Sequence, residues 1–415
     1  MRTKTRWVYL VFAVLALFCM REQDRGTFVG VEESWRHWLY AVSQTLDTGP
    51  SGNPQVHLVE MNTPVGQTAW GLDLALFLRA AVLSEARVVI IEPSFSLEAL
   101  SAMEKSAVER LVVRVPRLVW AWELALEPIQ SVSAFRIQVE GLPTLAEDLA
   151  PLWRGVRFWP GETVGAVSFE GPATLLHPPE LRLESLPLFY RLPQAWVPSA
   201  VLRAAMLYDQ LGSSAVEVTS RFVLKVGNRS MQLKRDLSLE LGEGVEEPMH
   251  WDMATFLNEA ERFEASGEPS AKWQSIKNGF LILGLAERPD LPVYETPYGR
   301  QTRGQVFAQT LTLLTEDATA KPLPIWFELL LVPIVVAVCG SVVRMGLSSG
   351  WAWLGLFACL YVAGSVLAYD SGRWLASFTW VAVLCLIAAL SWFWLAVWCT
   401  PKKTDAPLTD KPRES

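Results

Sequence analysis

The chain has 415 residues, a formal net charge of −7 and five cysteines. Its length allows two average domains, and its acidic balance makes nucleic acid and anionic headgroups poor partners. The cysteines (Cys19, Cys339, Cys359, Cys385 and Cys399) all lie in or beside apolar runs, so the long middle uses no disulfide and has no zinc-ligand spacing.

In chain order, the first feature is the apolar run Trp7 to Met20, preceded by Arg2, Lys4 and Arg6. As a helix it rises only about 21 Å. A hydrocarbon core is roughly 30 Å thick, so spanning it needs Arg6 and Arg21 to snorkel. A signal peptide has the same basic start, but Leu17-Phe18-Cys19-Met20-Arg21 offers no small-x-small cleavage site. The run therefore reads as an uncleaved anchor. Val31 to Leu46 reads as a helical stalk. Val56 to Met61 is an apolar strand, followed by a helical face at Leu72, Ala75, Leu76, Ala80 and Leu83. Val88 to Ile91 is a buried strand, Leu100, Met103, Ala107, Val108 and Leu111 a second helical stripe, and Leu118 to Leu124 another strand. This alternation implies a mainly parallel or mixed sheet. Further on, Trp196 to Gln210 reads as helix and Val216 to Val226 as a strand running to a turn at Gly227-Asn228. Phe280 to Leu285 reads as a buried strand and Gln305 to Leu314 as a helix. Glu140 to Pro160 and Leu241 to Pro248 read as long loops.

Three apolar segments crowd the last quarter: Leu323 to Val343, Trp351 to Ala368 and Trp374 to Trp398, with tryptophans near their ends. Arg2, Lys4, Arg6, Arg344, Lys402 and Lys403 place both termini on the cytoplasmic side by the positive-inside rule. The expected fold class is thus an extracytoplasmic α/β domain plus an α-helical transmembrane region of one N-terminal and three C-terminal helices. The expected domains are 1–20, the tail and anchor; 21–322, the outer domain; 323–399, the three helices; and 400–415, a short cytoplasmic tail. The expected location is a bacterial inner membrane, multi-pass, with the lipid bilayer as one partner. No ionisable residue falls at mid-span, which argues against transport.

No catalytic signature is legible, and no cofactor or metal site. His57, His177 and His250 lack catalytic neighbours and read as packed or surface imidazoles. Arg221, Lys225, Arg229, Lys234 and Arg235 read as a solvated hairpin face. One pair stands apart. Glu60 and Glu92 both close strands of the sheet, where open α/β sheets bind ligands. With Asn62 and Thr63 beside them, these carboxylates are candidates to hold a cation or a polar ligand. The alternative is that each caps a helix N-terminus or pairs with an arginine.

The order of elements resembles the type-two CHASE domain, an extracytoplasmic sensory module of bacterial cyclases and kinases. The closest stretch is Ile276 to Thr315, with a strand to Gly284, a Thr-Pro-x-Gly turn at Thr296 to Gly299, and Gly304, Ala308 and Gln309 in the helix after it. Leu186-Pro187-Leu188 and Pro198-Ser199 also fall as in that family. Where relatives carry Asp at the ends of the first two strands, this chain has Glu60 and Glu92. The family's Trp-Pro-Trp-x-Arg stretch is reduced to Trp70. Where relatives attach an output domain, this chain has PKKTDAPLTDKPRES. The resemblance implies a membrane sensor or regulatory protein, not an enzyme. It would bind an unknown ligand or partner and act as a homodimer or on a separate cytoplasmic signalling protein. A membrane scaffold or envelope-assembly protein with no small ligand is the alternative.

Overall fold

The computed structural model describes residues 2–24, scattered positions between 31 and 42, and residues 56–398 apart from internal stretches. These stretches include 63–69, 93–96, 128–141, 159–168, 176–182, 242–247 and 316–320. Thr63, His177, Arg221, the 400–415 tail, most of the expected stalk and most of the expected loop Leu241 to Pro248 lie outside the described residues, whereas the expected loop Glu140 to Pro160 contains a strand at Gly155–Phe158. The chain divides into two compact units: Tyr40–Lys321, and Met1–Leu39 together with Pro322–Ser415.

The second of these contains helix α1 (Arg2–Asp24). The Tyr40–Lys321 unit is built on strands β1 (Val56–Met61), β2 (Val88–Ile91) and β3 (Leu118–Ala125), separated by helices α2 (Trp70–Leu83) and α3 (Ala102–Val112). Beyond them come β4 (Gly155–Phe158), β5 (Phe169–Pro172), β6 (Ser185–Pro187), β7 (Phe189–Arg191), β8 (Trp196–Pro198) and helix α4 (Ala200–Tyr208). A run of short strands follows: β9 (Val216–Val218), β10 (Val223–Val226), β11 (Arg229–Gln232), β12 (Ser238–Glu240) and β13 (Met249–Asp252). The unit closes with α5 (Met253–Ser266), α6 (Ala271–Gln274), β14 (Phe280–Leu285), the hairpin β15 (Tyr294–Thr296) and β16 (Gly299–Gln301), and α7 (Arg303–Thr315).

The main sheet runs β13-β1-β14-β2-β3, all parallel, with β5 also parallel to β3 and β4 antiparallel to the end of β3. Strands such as VVII and FLILGL are apolar at consecutive positions because helices or strands cover both faces. Val59, Met61, Val89, Ile91, Trp120 and Leu283 meet α2, α3 and α5 on one face. Val56, Leu58, Val88, Ile90, Phe280 and Ile282 meet α4, α7 and the small β-layer on the other. Each fully buried Val, Leu, Ile or Phe contributes about 1.5–3 kcal/mol relative to exposure. The helices start where side chains satisfy their free N–H groups. Ser101 and Glu104 form a capping box on α3, Ser199 caps α4, and Asp252 caps α5, which ends at Gly267 in the left-handed region (φ +72°).

Several expectations shift in detail. The buried face of α2 centres on Leu74, Phe77, Leu78 and Ala81, and Leu72 is exposed. Nearly every residue of this helix is apolar, so the spacing does not fix its phase. In α3, Val108 and Val112 are buried while Met103 is 86% exposed. The helix expected from Trp196 begins at Ala200, after the strand WVP. Val216 to Val226 is two antiparallel strands: Phe222, at φ 57°, bonds its N–H to the Thr219 carbonyl and turns the chain back.

The larger correction concerns the apolar segments. Helices do form there: α1, α8 (Ile325–Val342), α9 (Leu347–Gly372) and α10 (Thr379–Trp398). Among the described residues, however, no helix is long and apolar enough to cross a membrane. This overturns the expected transmembrane region, and the multi-pass inner-membrane location that rested on it. A helix that is apolar all round is also the signature of a buried bundle member. Phe12, Ala16 and Cys19 of α1 share one core with Val335 and Cys339 of α8 and Trp380, Leu384 and Ala388 of α10. Leu330, Leu360 and Leu390 remain exposed on this unit.

Candidate functional site

The carboxyl ends of the central strands carry a cluster of interacting charged side chains in the Tyr40–Lys321 unit. Glu60 pairs in register with Gly284 of β14, and Glu92 donates its backbone N–H to the Leu283 carbonyl at 3.1 Å. The row is therefore Glu60, Gly284, Glu92, across three adjacent strands. Strand alternation puts all three on the face that carries α7. At two strand spacings the glutamates stand about 10 Å apart in the sheet.

The first turn of α7 sits over the glycine between them. A Cβ added at Gly284 would come within 3.2 Å of the Gly304 Cα and 3.3 Å of Glu92 Oε2, so helix and strand touch through two glycines. The helix start is fixed by a reciprocal cap. Thr302 N–H donates to Gln305 Oε1 at 2.9 Å, and Gln305 N–H to Thr302 Oγ1 at 3.3 Å. The Gln305 amide then donates to Glu60 Oε1 at 2.9 Å. Glu92, only 5% exposed, accepts the Leu285 N–H on Oε2 at 3.0 Å.

Arg303 completes the cluster. Its side chain is 10% exposed, and Nη2 lies 3.8 Å from Glu123 Oε1. Burial opposes its charge, yet Glu92, Tyr294 and Glu123, with a hydrogen bond to Tyr294, more than offset this and raise its pKa above the ordinary value. The β15–β16 hairpin supplies that tyrosine. The Thr296 hydroxyl donates to the Gly299 carbonyl at 2.9 Å and accepts the Tyr298 N–H at 3.1 Å, while Gly299 takes φ +96°.

At the outer rim, His250 Nδ1 is 4.0 Å from Glu60 Oε1. Asn62 donates to Asp252 Oδ1 at 3.0 Å, and Asp252 Oδ2 accepts the first N–H groups of α5. The structure thus brings Glu60 and Glu92 together around α7 and ties Asn62 to the next strand. Sequence reasoning missed Glu123, Arg303, Gln305 and Asp252. Glu123 had a signal, as an acidic residue inside the apolar strand LVWAWELA. The partners of Glu60 and Glu92 had none, since Gln305 and Arg303 lie more than 200 residues away in sequence.

The cluster is a group of carboxylates at the carboxyl end of the sheet, with the Arg303 guanidinium beside Glu92 and Glu123 and the Gln305 amide on Glu60. Among the described residues no set of three or more His, Cys, Asp or Glu side chains is placed to hold a metal ion. His57 is a core imidazole. Trp251 Nε1–H donates to its Nδ1 at 3.2 Å, which leaves Nε2–H to donate to the Ser275 carbonyl at 3.1 Å. In the basic hairpin, Lys225 pairs with Glu217 at 3.4 Å and Arg229 with Asp209 at 3.3 Å.

No protein-family model, no curated protein and no solved structure matches the chain. Nothing therefore identifies the CHASE-type sensory domain that the motifs around Gly284 and Thr296 resemble, and its signalling role has no support from relatives.

Proposed function

We propose that this chain is a regulatory binding protein. The Tyr40–Lys321 unit takes up a small polar ligand of cationic character at the carboxyl end of its parallel sheet, and α7 passes the change on to a separate protein. The carrying observation is the arrangement at the start of α7, where Arg303 lies with Glu92 and Glu123 and Gln305 holds Glu60. Carboxyl ends of parallel strands are where open α/β sheets take ligands. A ligand amine drawing Glu92 and Glu123 away from Arg303 would loosen the first turn of α7, the helix that precedes α8 in the chain.

The test is thermal unfolding of the full chain with putrescine, agmatine and methylguanidine. A saturating ligand at about 100 times its Kd adds about 2.7 kcal/mol. The midpoint should rise with at least one of the three, and the rise should shrink in Glu60→Gln.

A second reading has its own observation. Glu60 and Glu92 already have internal donors in Gln305 and Leu285, so the cluster also suits a keystone that docks α7 in a scaffold with no small ligand. Unchanged midpoints with all three probes would favour that reading.

A further inference from the structure

Two arginines show how the Tyr40–Lys321 unit holds a guanidinium. Arg229 meets Asp209 and the Leu314 carbonyl, and Arg303 lies with Glu92 and Glu123. Arg203, on α4, is held differently. It is only 6% exposed, and its Nε is enclosed with no hydrogen-bond partner. Its backbone N–H donates to the Ser199 carbonyl at 2.8 Å, as a helix requires. Among the described residues its guanidinium has neither a hydrogen bond nor a carboxylate beside it. It lies instead over the Phe169 ring of β5, with Cζ 5.0 Å from the ring centroid.

The helix that carries Arg203 is firmly seated. Ser199 Oγ accepts the Leu202 N–H at 3.2 Å. The first turn rests so close to Gly171 that a Cβ there would fall 2.5 Å from the Ala200 Cα. Burial pushes the pKa of Arg203 down to about 10, so the group is still a cation at neutral pH. A buried cation without a counter-charge is costly. The Phe169 ring offsets part of that cost, but a ring face gives the guanidinium N–H donors no oxygen to bond.

We infer that Arg203 anchors a binding site for a small monocarboxylate, which meets the guanidinium edge beside Phe169. The charge count selects this class. One carboxylate neutralises one arginine, whereas a phosphate dianion would leave a buried negative charge with no second cation. Shape selects it as well, because two carboxylate oxygens match two guanidinium N–H groups and a halide does not. The tight enclosure of Arg203 restricts the ligand to a short one. Phe169 and the apolar core it packs against suit an alkyl tail. The inference does not depend on the proposed role of the Glu60–Glu92 row.

The experiment is isothermal titration of the full chain at neutral pH and constant ionic strength. The probes are sodium acetate, propionate and butyrate, with phosphate and chloride as comparators. Saturable binding of at least one carboxylate is expected, with phosphate and chloride weaker by about tenfold or more. Arg203→Met, which keeps a side chain without the charge, should abolish the binding. Arg203→Lys, which keeps the charge but not the fork, should weaken it by about tenfold. Three results overturn the inference: no saturable heat up to about 50 mM carboxylate, a range that detects millimolar binding; phosphate or chloride binding as well as the carboxylates; or carboxylate binding unchanged in Arg203→Met. Should Arg203→Met fail to fold by circular dichroism, the anion series on the unaltered chain decides.

Discussion

Arg303 balances the carboxyl end of the sheet, and its removal shows what the cluster holds. Arg303→Met should lower stability by about 3–5 kcal/mol, because Glu92 stays buried without its cation. Adding Glu92→Gln should recover much of that loss in a double-mutant cycle read by urea denaturation. Tyr190 gives a pH signature. Burial pushes its phenol well above the ordinary value, Arg303 pulls the other way, and Tyr294 adds to the rise. A raised folded pKa means the native state holds the proton longer than the unfolded chain. Its stabilisation is therefore complete below about pH 10 and is lost as pH climbs beyond. Tyr190→Phe should flatten that alkaline decline in urea midpoints, while losing the bond to the Thr174 carbonyl at every pH. His57→Phe should cost about 1–3 kcal/mol by orphaning the buried Trp251 N–H. At this scale the sequence exposed acidic residues ending apolar strands. It could not expose their partners, because hydrogen bonds across such separations leave no local pattern.

Among elements, α7 is the one whose seat matters most, and the seat is a contact between glycines. Gly284→Ala would press a methyl to 3.2 Å from both the Gly304 Cα and Leu58 Cδ1. A cost of about 1–3 kcal/mol is expected, with hydrogen exchange along α7 accelerated. Gly171→Ala should cost more, since its Cβ would lie 2.5 Å from the Ala200 Cα, and backbone cannot swing aside as a side chain does. The central strands were legible because each is an unbroken apolar run. Strands of three residues, such as β6 to β9, carry no measurable period. α5 was missed despite a start at Asp252 and a stop at Gly267, both of which are readable signals. The apolar runs of α1, α8, α9 and α10 were legible as helices. Their setting was not, because composition does not separate a bundle core from a membrane span.

As a whole, most of the exposed large apolar side chains among the described residues belong to Met1–Leu39 with Pro322–Ser415, and the charged cluster belongs to Tyr40–Lys321. Residues 40–321 have their own sheet, a core on each face and a smaller third core around Trp122, Trp153 and Tyr190. Excised, they should unfold cooperatively and stay monodisperse in aqueous buffer, as measured by circular dichroism and light scattering. The full chain should self-associate in the same buffer, because exposed leucines such as Leu330, Leu360 and Leu390 form surface that water does not favour. The strand order has a further consequence, for synthesis. β14 lies between β1 and β2 yet follows β1 by about 220 residues, so the middle of the sheet is its last strand to leave the ribosome. Until then β1 and β2 each lack a neighbour, and closing so distant a pairing is slow. Newly made chain should therefore pass through a long interval with bare apolar strand edges, when chaperones bind most readily.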